Sequence, residues 1–420
     1  MRRPCCPVSA FPAFPAFALP ILLCLLLMPG EAGADEFKLI PSVNLKGEYN
    51  DNLFFTEKRK RDDFVTTLSP GLELINRTER LDVSLLARAS GLLYADNHDL
   101  NGIDQYYRGK LRYSLHPKWS LSGETGFTRD STPDRDIEAT GLVNKAIRRY
   151  KYIFTGGLEH RLTEKTTADL SYSYEKHDYE RDPEFVDIDS HGVNLGLNHD
   201  LSKHFSNTIG RVNLGYFRYE FGDSKTDYFY STIGMKRALS EKWAFLIDAG
   251  GSYTHSRFEV DRLYPITPFL SVVVRDEETE KGAGWVGQAT LSYKGERTVK
   301  GERTKADLTF QHRLLPSYGR VGVTKRTALT LEALHHFTYE LSGRLSAGYF
   351  LNKSRRGEFS NEAIDEATFR VNPRVRYEFS KDLALEASYH FTFLRDRQER
   401  SEAKRNLFMI HLIIQYPLFE

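Results

Sequence analysis

From about residue 37 onward the chain alternates apolar and polar residues, segment after segment. The clearest copy runs from Leu81 to Tyr94. Leu81, Val83, Leu85, Ala87, Ala89, Gly91 and Leu93 share one face, and Asp82, Ser84, Arg88, Ser90 and Tyr94 share the other. A period of two places successive side chains on opposite sides of a strand. In a soluble sheet the apolar side needs a second layer over it, and no helical pattern in the sequence supplies one. A closed barrel in lipid needs none, because the bilayer covers the apolar side and closure leaves no edge. The pattern therefore predicts an all-β chain, a transmembrane antiparallel up-and-down β-barrel.

A recurring joint predicts how the strands connect. Leu115–Trp119, Leu162–Lys165, Leu201–Phe205, Leu239–Trp243, Leu341–Leu345 and Phe379–Leu383 each set a few polar turn residues after an apolar anchor, and all but Leu162–Lys165 close on a second one. Several of these joints lie close to 38 residues apart, two strands plus two connections. They read as tight periplasmic turns. Longer polar stretches alternate with them: 52–62, 95–104, 130–148, 177–190, 258–281, 354–365 and 396–405. Short turns on one side and long loops on the other are the asymmetry of outer-membrane barrels. The count comes to about eighteen strands, with sixteen as the alternative. Pro268–Val274 reads as an extra strand or part of a folded loop, and 294–304, with its repeated KGERT, as an unusually long periplasmic turn.

The first 34 residues read as a cleaved secretory signal peptide, leaving 35–420 as the barrel. Arg2 and Arg3 are basic, Phe17–Met28 is a short apolar run, and Ala32-Gly33-Ala34 offers a small-x-small cleavage site. Cys5, Cys6 and Cys24 all fall in this segment, which excludes disulfide, thiol or cysteine–metal chemistry from the barrel. Without Arg2, Arg3 and Glu31 the chain carries 56 basic and 56 acidic residues, so no global field favours nucleic acid. The mean hydropathy of −0.48 argues against membrane helices, and a barrel with only alternate residues in lipid accommodates it. An aromatic content of 13% fits the interfacial girdles of such barrels.

The final segment alternates Phe408, Ile410, Leu412, Ile414 and Tyr416 with Met409, His411, Ile413 and Gln415. An apolar terminal strand with a late aromatic resembles the signal read by the outer-membrane barrel-assembly machinery. Pro417-Leu418-Phe419-Glu420 follow Tyr416, a departure from that pattern. Near the other end, Tyr49-Asn50-Asp51-Asn52-Leu53-Phe54, Asp63-Phe64-Val65 and Ser69-Pro70-Gly71-Leu72 resemble the opening hairpin of the putative beta-barrel porin-2 family. The family marks this hairpin at Tyr49, Asp51, Asn52 and Pro70. The resemblance implies a Gram-negative outer-membrane barrel, with relatives often associated with exopolysaccharide synthesis and export. It brings no catalytic residue. The Asp51-Asn52 pair also suits simple capping of the loop.

On the polar face, Arg370, Arg374, Arg376 and Glu378 fall on one strand with Asn372. Glu386, Ser388 and His390 fall on the next. Arg88, then Arg108, Lys110 and Arg112 facing Glu124, and Asp169 with Glu175, give a lumen of mixed charge. Arginine forks suit acidic sugars and hydroxyls suit neutral ones. The charges equally suit pairing across strands in a narrow lumen. The expected activity is a porin-like channel passing polysaccharide or oligosaccharide, with outer-membrane lipid, lipopolysaccharide and export components as partners. The alternatives are a non-conducting scaffold barrel and an outer-membrane hydrolase built on Ser388, His390 and His411, although their spacing imposes no triad. His335 and His336 alternate faces and so cannot chelate together, and no cofactor or metal is expected. A 22-strand receptor with a plug is disfavoured by length.

Overall fold

The structure, a computed structural model, describes residues 36–131, 147–180, 185–222, 224–267, 270–361 and 363–418. The signal-peptide expectation, most of 130–148 and part of 177–190 lie outside the described residues. The first half of the chain forms β1 (Glu36–Asn50), β2 (Asp63–Arg77), β3 (Leu81–Tyr94), β4 (Gly102–His116), β5 (Trp119–Asp130) and β6 (Arg149–Arg161). There follow β7 (Thr166–Tyr179), β8 (Ile188–Asp200), β9 (Thr208–Phe221), β10 (Ser224–Ala238), β11 (Trp243–Thr267) and β12 (Leu270–Lys294). A small hairpin of β13 (Arg297–Thr298) and β14 (Gly301–Glu302) precedes β15 (Thr304–Pro316) and β16 (Val323–His336). The chain finishes with β17 (Leu341–Ser354), β18 (Ile364–Glu378), β19 (Leu383–Asp396) and β20 (Ser401–Gln415).

Eighteen of these form one antiparallel sheet that closes on itself, since β20 pairs with β1 from Ser42↔Gln415 to Asn50↔Leu407. The sixteen-strand alternative is thereby corrected. The other wall ladders join strands that follow one another along the chain, and the β1–β20 ladder alone closes the ring. Proline interrupts it twice. Pro70 and Pro373, which have no N–H to donate, sit where the β2–β3 and β18–β19 ladders skip two residues.

One expected loop is corrected. Residues 258–281 are not a loop but the continuation of β11 and β12, whose ladder runs from Trp243↔Tyr293 up to Thr267↔Leu270. Their inner neighbours stop far below. β10 leaves β11 at Arg257, and β15 leaves β12 at Gly287↔His312. A two-stranded arm therefore rises beyond the rim. The polarity of 258–281, with Arg262 near Asp276 and Glu278 and Arg275 near Glu259, resembled a loop because both faces of a free arm meet water. Residues 270–274, read as a separate strand or folded loop, open β12.

The outer surface records the membrane. Tyr107, Phe127 and Tyr152 are successive cross-strand partners on β4–β6, as are Tyr216, Phe229 and Tyr253 on β9–β11. Just beyond that second row lies a row of Arg218, Asp227 and His255. At the opposite end Trp119 stacks on His160 at 3.7 Å, and Trp243 tilts against Tyr293 at 4.9 Å. Between Trp243 and Tyr253 the outward residues of β11 are Phe245, Ile247, Ala249 and Gly251. Ten residues at ~3.3 Å each, tilted by about 40°, give an apolar band of ~25 Å, the height of a bilayer's hydrocarbon.

Ile233 sits in the middle of that band, 72% exposed in the absence of lipid. Arginine there is expected to cost about 2–4 kcal/mol, as for a cation at the bilayer midplane. Its neighbour Thr232 faces the lumen, and arginine there should cost far less. The temperature at which the folded band converts on a denaturing gel separates the two variants, and equal losses would refute the assignment of faces.

Candidate pore lining and the barrel seam

The residues of the opening hairpin hold the seam. The Asp51 carboxylate accepts two hydrogen bonds from Asn406, one from the backbone N and one from Nδ2, both at 2.6 Å. Asp51 N donates to Asn406 O at 3.1 Å. Asn52, fully buried, donates from Nδ2 to Thr56 O at 2.8 Å and to Lys404 O at 2.9 Å, while its Oδ1 accepts from Thr56 N. The pair thus caps its own loop and also clasps the first strand to the last. Tyr49 faces outward and donates from its hydroxyl to Asp62 at 3.2 Å. Asp63 accepts from the backbone N of Ala95, Asp96 and Asn97, fixing the β3–β4 connection against β2.

The registers place Arg88, Arg108, Lys110, Arg112, Glu124, Arg370, Arg374, Arg376, Glu378, Glu386 and His390 on the lumen side. Several are paired. Arg108 donates from Nε and Nη2 to Glu124 Oε1 at 2.9 and 2.6 Å. Arg374 Nη1 lies 3.4 Å from Glu386, and Arg376 Nε 3.2 Å from Glu378. Lys300, at the tip of the β13–β14 hairpin, also reaches Glu378, so the long periplasmic turn leans under the mouth. Arg370 lies over the Phe350 ring at 5.7 Å. Sequence reasoning missed Lys46, Glu48, Arg405 and the place of His411, all of which line the seam. His411 sits opposite both Glu386 and Lys46, and Arg88 and Arg374 are within its electrostatic reach. Inward arginine or lysine thus comes from β18, β20, β1, β3 and β4, while β19 adds Glu386 and His390 between them and β2 adds Glu73.

Half a circuit away, the inner wall of β8–β10 is aromatic. Phe217, Tyr219 and Phe221 of β9 and Tyr228 and Tyr230 of β10 face inward, with Asn194, Asn213 and Thr232 below them. Tyr230 donates to Asn194 Oδ1 at 2.7 Å. These rings were missed because an apolar face was taken for a lipid face. The signal was present: on β9 the apolar stripe runs through Val212 and Leu214, then changes parity to Phe217, Tyr219 and Phe221. Without a bulge, a change of parity means that the upper stripe lies inside.

What those rings touch comes from the far wall. Residues 314–324, the tip of the β15–β16 hairpin, pair with neither β12 nor β17, whose ladders end at His312 and Lys325. Leu314 and Val323 pack with Ile188, Tyr219, Phe221 and Tyr228, joined by Phe359 from the β17–β18 connection. Tyr318 stacks on His177 of β7 at 4.6 Å. Arg320 donates to Glu366 of β18 at 2.6 Å. Since β7 and β18 stand half a circuit apart, the tip crosses the lumen.

Residues 32–184 match the family model described as putative beta-barrel porin 2. The chain is a porin-like barrel of the bacterial outer membrane. That stretch runs through β7 and includes the opening hairpin, which resembles the same family. Among solved structures, the porin-like barrel is similar to OccAB1 of Acinetobacter baumannii, at 11% identity with a TM-score of 0.45, over 91% of this chain and 97% of that one. It is similar in the same degree to OccK2 (OpdF) of Pseudomonas aeruginosa, over 91% and 98% of the two chains. The ferric citrate transporter FecA in its unliganded form gives 10% identity and 0.45, over 87% of this chain and 61% of FecA. No curated protein compared with the chain matches it.

The end of the porin-like barrel continues its pairing past β20. Tyr416 N donates to Pro41 O at 3.1 Å and Leu418 N to Leu39 O at 2.8 Å. Phe408, Ile410, Leu412 and Ile414 face outward, with Tyr416 62% exposed beyond them. Removing the chain from Tyr416 onward takes away both bonds and the interfacial ring. The truncated porin-like barrel is expected to fail to assemble, and a normal heat-modifiable band would refute this. Ser388 stands opposite Met409, His390 opposite Leu407 and His411 opposite Glu386, all on the lumen side. His335 and His336 fall on opposite faces, His335 bonded to Thr304 Oγ1 at 2.8 Å.

Proposed function

We propose that the barrel is a diffusion channel for acidic oligosaccharides, with polysaccharide or its fragments on the way out of the cell as its cargo. The observation that carries this is the unlike character of the two walls. One is a wall in which β18, β20, β1, β3 and β4 point arginine and lysine inward, the other an aromatic and amide surface half a circuit away. A uronic acid offers a carboxylate to the first and ring C–H groups and hydroxyls to the second. Lipopolysaccharide around the rim and components of an export apparatus below the periplasmic mouth are the partners that this role calls for.

The experiment is reversal potential and current block of the purified protein in planar bilayers. Anion preference and block by a trigalacturonate support the proposal, and cation preference with no block overturns it. A second role, a non-conducting barrel of an envelope assembly, is favoured by the crossing tip. Absence of conductance even after the tip is shortened would establish it.

A further inference from the structure

The rings on β8–β10 lie over glycines. A Cβ at Gly192 would come within 2.4 Å of the Phe217 ring, and one at Gly215 within 2.1 Å of the Tyr230 ring. Phe217 and Tyr219 are 9° from parallel at 6.0 Å, and Phe217 and Tyr230 18° at 6.3 Å. Side chains two apart on a strand, near-parallel and leaning over a bare neighbouring backbone, lie along the wall and turn their faces to the lumen. Tyr228 continues the row beside Tyr230 at 5.8 Å. Such a floor suits the C–H face of a pyranose, and Asn194, Asn213 and Thr232 stand beside it as partners for hydroxyls.

In this structure the floor has an occupant. Residues 314–324 seat Leu314 and Val323 on it, leaving Tyr219 and Tyr228 only 4% and 3% exposed. The tip has no strand partner outside its own hairpin, and Gly319 and Gly322 at its turn have φ of +78° and +91°. On the far side Arg320 pairs with Glu366, and on the near side Tyr318 stacks on His177 with Lys151 over the Tyr318 ring at 5.6 Å, beside the Leu314 and Val323 packing. Glu366 is itself buried at the inner face of β18.

We propose that the floor of Phe217, Tyr219, Tyr228 and Tyr230 is a sugar-ring subsite and that residues 314–324 are its displaceable cover. The inference rests on the channel role above, but not on the charge of the solute. The closing of the lumen and the stacking of a ring are both properties that a neutral probe reads.

Four channels test it: the full chain, a chain with 314–323 replaced by two glycines, that shortened chain without two of the rings, and Arg320→Cys with Glu366→Cys, the sequence having no cysteine after Cys24. The tip-shortened channel should conduct more than the parent and be blocked by maltoheptaose. Phe217→Ala with Tyr230→Ala in that background should weaken the block about tenfold, the loss expected from removing two stacked rings. Joining the two cysteines with a short bis-methanethiosulfonate, which forms a disulfide to each thiol and releases methanesulfinate, should lower the full-length conductance, and reduction should restore it. Equal conductance with free and joined cysteines would overturn the cover. Equal maltoheptaose block with and without the two rings would overturn the subsite. Anion preference measured in the same channels reports separately on the basic wall, so failure of one leaves the other standing.

Discussion

Asp51→Ala is expected to loosen the barrel at its seam without changing what the lumen presents. The substitution removes one carboxylate that accepts two 2.6 Å hydrogen bonds from Asn406, across the only ladder not formed by a hairpin. A bond to a charged acceptor contributes roughly 1.5–3 kcal/mol, and the two part-buried donors left behind regain part of that from water, so the net cost is about 2–4 kcal/mol. Asn406→Ala keeps the backbone donor but loses one seam bond with Nδ2 and, with Oδ1, the acceptor of the Tyr389 hydroxyl at 2.6 Å, so it should also lower the conversion temperature. Because seam pairing completes the barrel, the expected signature is a folded band that converts at a lower temperature, with unchanged conductance and selectivity before conversion. Asp51→Ala converting at the parental temperature would show that the clasp is dispensable.

The second large effect is on selectivity. Arg370, Arg374 and Arg376 to serine together remove three positive charges from one strand and free Glu378 and Glu386 from arginine partners. Residues on the lumen side tune selectivity rather than the hold on lipid. The folded yield and conversion temperature should therefore stay near the parent, while the anion-to-cation permeability ratio falls by about tenfold, since charges lining a narrow polar lumen set the local ion concentration. Lys300 remains on Glu378 and limits the swing at the periplasmic mouth. The same substitutions at Arg262, Arg275 and Arg257 on the arm are the control, and an equal shift there would deny the basic wall its role.

The sequence carried the barrel, and for a stated physical reason. A period of two with an outward apolar stripe has one solution when no second layer exists, and the turn anchors at Leu115–Trp119 or Leu239–Trp243 count hairpins directly. The inward placement of Arg88, Arg108 and Arg370–Arg376 follows from the same parity. Two things were hidden. Parity says which face a residue takes but not what crosses the space it faces, so Leu314 and Val323 look like outward residues until the ladder to β12 ends at His312. The Asp51–Asn406 clasp joins residues 355 apart, and a loop-capping motif contains no mark of its distant partner. The misread arm at 258–281 failed for a third reason, that polarity on both faces describes a free two-stranded ribbon as well as a loop.

That arm has a consequence for how the molecule can be divided. β11 and β12 meet at its tip, with the eleven wall strands β1–β11 on one side and the seven of β12 and β15–β20 on the other. The two parts face each other along the β1–β20 seam and along the ladder from Trp243↔Tyr293 upward. A break in the arm therefore severs the chain without severing the sheet. The arm is the natural place to insert a tag or a foreign domain, or to supply the barrel as two polypeptides, since exposed hairpin ends are where chains accept insertion and nicking.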